Sequence, residues 1–153
     1  MNTIDLLSRS VRTLCAISLL ACASAASAVE ETPQSIAGGT MVDAVKAKEI
    51  LDKGGLAVDT RVAAEYAEKR IKGAINVVYK ETHPRTSKIV PEDSFDLSKL
   101  PADKNKALVF YCNGSPCWKG YKGADAAIKA GYKQVYWFRD GLPAWEAKKF
   151  PIE

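Results

Sequence analysis

Two side chains stand out by their placement: Cys112 and Cys117, which bracket Asn113-Gly114-Ser115-Pro116. Just before them, Ala107 to Tyr111 is a continuous apolar run of the kind shown by a strand buried on both faces, and a helical pattern starts at Trp118. Cys112 is therefore expected where a parallel strand ends and a helix is about to begin, the edge at which open α/β sheets bind ligands. The intervening turn can aim successive N–H groups inward, and the helix N-terminus adds positive partial charge. Both favour an anion, and a thiolate is one. This pattern predicts nucleophilic sulfur chemistry at Cys112; the plainer alternative is a small apolar cysteine closing a strand. That alternative does not suit Cys117, which lies in the turn.

An anionic substrate beside such a nucleophile needs cations or N–H donors. Asn113, Gly114 and Ser115 offer donors, and Lys119 lies in the first helical turn beyond the loop, with Trp118 beside it. Arg61 also follows a strand, so it is a second cation for the same edge; pairing with Asp59 is its structural alternative. Lys119 and Lys122 equally suit a solvated helix face, and Trp118, Trp137 and Trp145 suit packing. His83, before Pro84 in a polar stretch, reads as solvated. One histidine and two cysteines leave a tetrahedral metal site incomplete, so neither metal nor cofactor is expected. A phosphatase loop would need Arg six positions after the cysteine, where Trp118 and Gly123 stand instead. A dithiol oxidoreductase would prefer two residues between its cysteines. A reversible Cys112–Cys117 disulfide, with a redox protein as partner, stays open.

The elements that must position this loop follow from periodicity. Residues 29–39 are small and polar and read as a flexible lead. From Thr40 the pattern is helical, with Met41, Val42, Val45, Ala47, Ile50 and Leu51 apolar, until Gly54-Gly55 ends it. Leu56 to Asp59 reads as a buried strand, Val62 to Arg70 as a helix, and Ile75 to Tyr79 as a second strand. Residues 80–106, punctuated by Pro84, Pro91 and Pro101, form a long loop pinned by Phe95 and by Leu97 to Leu100. A helix from Trp118 to Ala130 places Tyr121, Ala124, Ala127 and Ile128 on one face and Lys122, Asp125 and Lys129 on the other. Gly131 stops it, Gln134 to Phe138 forms a strand, and Leu142 to Lys148 closes as a helix. Alternating strands and helices imply an α/β fold with a parallel sheet covered on both faces.

Residues 1–28 stand apart. Arg9 and Arg12, the apolar stretch Leu14 to Ala21 and the small residues Ala26-Ser27-Ala28 have the order of an export signal cleaved after Ala28. A periplasmic protein beginning at Val29 is expected. The alternative is a lipid anchor on Cys22, because Leu19-Leu20-Ala21-Cys22 is lipobox-like. Removing these residues takes Cys15 and Cys22 with them and leaves 20 basic against 17 acidic side chains. That balance is too mild for a nucleic-acid footprint, and no apolar run is long enough to span a membrane.

Several motifs in register resemble those of rhodanese-like sulfurtransferase domains. They are Leu56-Ala57-Val58-Asp59-Thr60-Arg61, Glu65-Tyr66 and Ile71 to Val77, then Val109 to Gly114, Gly131-Tyr132, Val135-Tyr136 and Asp140-Gly141-Leu142-Pro143-Ala144-Trp145. The likeness covers nearly all of residues 40–153. It implies a single rhodanese-like domain, an open parallel β-sheet flanked by helices on both faces. In such a domain a loop cysteine, here Cys112, accepts sulfane sulfur as a persulfide from a thiosulfate-like anionic donor and passes it to a thiol or cyanide-like acceptor. The alternative within the same fold is a non-catalytic persulfide carrier or binding module. The chain departs from the family pattern at Arg70, where the family often has His. Its longer loop lacks the usual Arg, and Cys117 is an added thiol.

Overall fold

The computed structural model describes residues 29–153. The export-signal and lipid-anchor expectations fall on residues 1–28, outside the described residues. The elements run β1 (Thr40–Val42), α1 (Ala44–Asp52), β2 (Leu56–Asp59), α2 (Ala63–Glu68), β3 (Ile75–Asn76), a 3-10 turn (Leu97–Lys99), β4 (Leu108–Tyr111), α3 (Trp118–Lys129), β5 (Val135–Phe138) and α4 (Gly141–Ala147). The strands form one five-stranded sheet, ordered β1-β5-β4-β2-β3 and parallel at every pairing. The expected α/β architecture, an open parallel sheet covered on both faces, is the one observed.

Strand β4 lies at the centre and explains why its sequence is apolar without alternation. Leu108 and Phe110 point into one core with Val58, Ala124, Ala127 and Trp137. Val109 and Tyr111 point into the opposite core with Ala47, Ile50, Phe138, Leu142 and Trp145. Successive residues of a strand face opposite sides, so a strand covered on both sides has no polar position left. From β2 the chain leaves in one direction through α2 to β3; from β4 it leaves in the other through α3 to β5. The sheet therefore has its topological switch between the carboxyl ends of β2 and β4, where a crevice must open. Register puts Asp59 level with Tyr111, and Tyr111 level with Phe138, so Cys112 is the first residue past that edge.

Three expectations are corrected. Thr40–Val42 is a strand, paired with Tyr136, Trp137 and Phe138, and the helix begins only after Asp43, whose carboxylate caps it by accepting from Lys46 N at 2.8 Å. The apolar pair Met41-Val42 fitted the helical spacing, but edge pairing with β5 takes precedence. β3 stops at Asn76, because the Val77 and Tyr79 amides are drawn to Asp59 O and Thr60 O at the β2 end. Residues 29–39 are not a free lead. Ile36 is in the core, Thr32 is buried, and the segment is bonded to the thiol loop. The long connection is pinned as expected by Phe95, stacked on Tyr79, and by buried Leu100, whereas Leu97 is 37% exposed.

Candidate active site

At the switch point, Cys112 follows β4 and Cys117 is the N-cap of α3; the two are joined by a disulfide. Cys112 is 3% exposed. Its carbonyl accepts from Leu142 N at 3.0 Å, which ties the sulfur-bearing residue to the start of α4. Gly141 makes that approach feasible. Its φ is +59°, and a Cβ there would lie 2.8 Å from Gly114 N and closer still to Cys112 O. Only a residue with no side chain fits this corner.

The loop between the cysteines is held from three directions. Gly114 adopts φ +120° and its carbonyl accepts from Cys117 N at 3.0 Å, closing the turn. Ser115 O accepts from the Thr32 amide at 3.3 Å and its hydroxyl at 2.5 Å, so the early segment clasps the loop. Arg139 in turn grips Thr32 O through Nη2 at 2.9 Å. Asn113 Nδ2 donates to Glu65 Oε1, and Asn113 Oδ1 accepts from Arg61 Nη1 at 3.4 Å.

Below the loop lies a buried polar cluster. Arg61, 3% exposed, donates from Nη2 to Asp59 Oδ2 at 2.6 Å and from Nε to both carboxylate oxygens, with a further bond to Lys69 O at 2.6 Å. Tyr111 donates its hydroxyl to the same carboxylate at 2.7 Å and accepts from Ile71 N. Burial opposes the charge on Arg61, but the hydrogen bonds and charge of Asp59 outweigh it and hold its pKa above the ordinary value. Burial, reinforced by the Asp59 charge, pushes the Tyr111 phenol well up.

The structure thus brings Cys112, Asn113, Gly114, Ser115, Cys117 and Lys119 together, and Arg61 reaches them only through Asn113. Arg61 takes its structural alternative, the pair with Asp59. Trp118 is 4% exposed beneath the loop, and its Nε1 donates to Glu30 O at 2.7 Å, so it packs the loop and braces the early segment. Lys122 is corrected: it is fully buried, not solvated, with Nζ 3.0 Å from Glu81 Oε2 and 3.2 Å from His83 O. His83 is also only partly open to solvent, and its Nδ1 is buried without a hydrogen-bond partner.

Beside Cys117 opens a cleft of about 530 Å3, lined by Val29, Glu81, Pro84, Arg85, Asn113, Pro116, Cys117 and Lys119. Sequence reasoning missed the wall made by Glu81, Pro84 and Arg85, for which no local pattern gave a signal. Glu65 and Gly141 lay within the motifs quoted above, yet their contacts to the loop were not anticipated. Among the described residues there is no cluster of three or more His, Cys, Asp or Glu suited to a metal ion. Nor is any described helix long and apolar enough to cross a membrane.

The parallel sheet with this switch point is the fold of a known family. A model of the Rhodanese-like domain aligns with residues 43–148, and the chain belongs to that family. Solved structures agree on the fold. The rhodanese-like domain of an Anabaena protein superposes with a TM-score of 0.56 at 23% identity, over 74% of this chain and 77% of that one. A Bacillus halodurans protein gives 0.55 at 24% identity, over 75% and 77%. A thiosulfate sulfurtransferase from Pseudomonas aeruginosa gives 0.55 at 18%, over 75% of this chain but 20% of that much longer one. No curated protein matches the chain significantly.

Proposed function

We propose that this chain is a sulfurtransferase that moves sulfane sulfur through a persulfide on Cys112. The observation that carries this reading is the position of Cys112, one residue past the central strand at the switch point of a rhodanese-like sheet, with its backbone locked by Leu142 and Gly141. In the forward half-reaction the Cys112 thiolate attacks the outer sulfur of a thiosulfate-like donor. The donor's S–S bond breaks, sulfite leaves with the electron pair, and the cysteine keeps the sulfur. In the second half a thiolate or cyanide attacks that terminal sulfur and the Cys112 thiolate departs. The loop amides and the α3 N-terminus favour the anions at each stage. Lys119 adds a cation at the rim. Incubating the reduced protein with thiosulfate should add the mass of one sulfur, and Cys112→Ser should abolish the gain. A gain that survives Cys112→Ser but not Cys117→Ser would refute the assignment.

A second reading, a thiol redox protein, is favoured by one observation: Cys112 and Cys117 are joined. In that state Cys112 has no free thiol, so sulfur transfer requires a prior two-electron reduction. Cyanide-dependent turnover of thiosulfate by the reduced protein favours the transferase; dithiol-dependent turnover without sulfur loading favours the redox protein. For location, we propose export to the periplasm with a mature terminus at Val29. N-terminal sequencing of the exported protein tests this, and a lipidated Cys22 would overturn it.

A further inference from the structure

The two sulfurs of the disulfide differ in access, and the difference has a direction. Cys112 is almost fully enclosed by the strand end and the α4 corner. Cys117 is half-buried and lines the cleft, which Cys112 does not. The cleft is also charged unevenly. Glu81, its acidic lining residue, is engaged by Lys122 at 3.0 Å, while Arg85 and Lys119 form no ion pair among the described residues. The space next to the accessible sulfur is therefore bordered by two uncompensated cations.

We propose that this cleft seats a small anionic thiol, one bearing a carboxylate or sulfonate, which opens the disulfide by attack on Cys117. The incoming thiolate forms a bond to Cys117 Sγ, the Cys112–Cys117 bond breaks, and its electron pair leaves on Cys112 Sγ as thiolate. A second molecule of the same thiol then attacks the mixed disulfide through its own thiolate. Cys117 departs as a thiolate that takes up a proton, and the two small thiols leave joined as a disulfide. Two electrons pass from the thiols to the protein, and both cysteines end reduced. Cys117 is thus the port of entry, and Cys112 the sulfur set free to accept cargo. The proposal deepens the reading of Cys112 as the working thiol and rests on it.

The test uses the oxidised chain and three probes: 2-mercaptoethanesulfonate (anionic), 2-mercaptoethanol (neutral) and cysteamine (cationic), compared at equal thiolate concentration. Quenching early with N-ethylmaleimide and mapping the peptides should find the small thiol on Cys117 and the maleimide on Cys112. At low salt the anionic probe should react about tenfold faster than the neutral one, the cationic probe slowest, with the spread collapsing at molar salt. Arg85→Gln combined with Lys119→Gln should bring the anionic rate down to the neutral one. A small-thiol adduct on Cys112, or rates indifferent to the probe's charge, overturns the proposal. Sulfur loading of the chemically reduced protein is read separately, so failure here is distinguishable from failure of the transferase reading.

Discussion

Two buried cation–carboxylate pairs flank the thiol loop, and they are built differently. Asp59 and Arg61 sit two residues apart at the end of β2, and every oxygen of the carboxylate is engaged by Arg61 or by the Tyr111 hydroxyl. Glu81 and Lys122 are distant in sequence; their pair bolts the segment after β3 onto α3, with the ammonium 6.0 Å from the Tyr79 ring centroid. The first pair is a local knot that stiffens the strand ends from which Cys112 projects. The second is a tertiary tie that holds the far wall of the cleft beside Cys117. Burying a charge is tolerated only when a partner returns the lost hydration, and in each pair the carboxylate is that partner.

The comparison is broken most directly at the sulfurs. Cys112→Ser should abolish sulfur loading while Cys117→Ser retains it, as intact mass reports; equal loss in both would mean the two sides of the loop do not divide the work. The pairs come next. Arg61→Met leaves Asp59 uncompensated in the interior and should cost about 4 kcal/mol in denaturant unfolding. Lys122→Met should cost less, about 2 to 3 kcal/mol, since Glu81 lies at the cleft and can turn toward water. A larger loss at Lys122 would reverse the ranking and make the tertiary tie the stronger of the two.

Each pair also has its tyrosine, and here the two regions should behave alike. Tyr79 is pushed up by burial and by the nearby Asp93 charge, as Tyr111 is by burial and Asp59. A phenol whose folded pKa is raised stabilises the fold fully below the unfolded value near 10, and that contribution is lost as pH climbs beyond it. Spectroscopic titration should find these two of the six tyrosines silent near pH 10, with stability falling above it. Tyr79→Phe and Tyr111→Phe should each flatten that decline. Normal titration of either would remove its region from the buried class.

The smallest effect belongs to an exposed pair that serves as reference. Glu153 accepts from Gly73 N and from Arg70 Nε, both at 3.2 Å, and the Gly73 amide foremost holds its carboxyl below the usual range. A depressed carboxylate contributes above its unfolded pKa and loses that contribution as pH falls through the folded one. Glu153→Gln should therefore be slightly less stable than wild type at neutral pH, and the two should converge as pH falls past the ordinary glutamate value and through the lower folded one. A difference that persists in acid would assign the residue a role other than charge.

What was legible divides along the same line as the two pairs. β4 and the Cys112 loop follow from neighbours in sequence: an apolar run, a turn, a helix start. The Asp59–Arg61 pairing was foreseeable because both residues lie in one short stretch. Lys122 was misread because an amphipathic wheel assigns lysine to the solvent side, and its partner, Glu81, belongs to a loop with no periodicity of its own. The early segment was misread for a related reason. Small polar residues look free in sequence, but Thr32 and Glu30 are held by Ser115 O and the Trp118 indole, far along the chain. Long-range hydrogen bonding leaves no local pattern to read.

That clasp on the loop has a kinetic side. The bonds Thr32 to Ser115, Trp118 to Glu30 and Arg139 to Thr32 join positions more than 80 residues apart. Contacts of such separation are slow to form, because the entropy of closing a large loop must be met before they stabilise anything. The β1–β5 pairing, which sets Thr40 opposite Tyr136, spans a comparable stretch of chain, so the early segment and the sheet edge that follows it close at the same late stage. During refolding, the two cysteines meet across their short turn well before the early segment arrives to close over them.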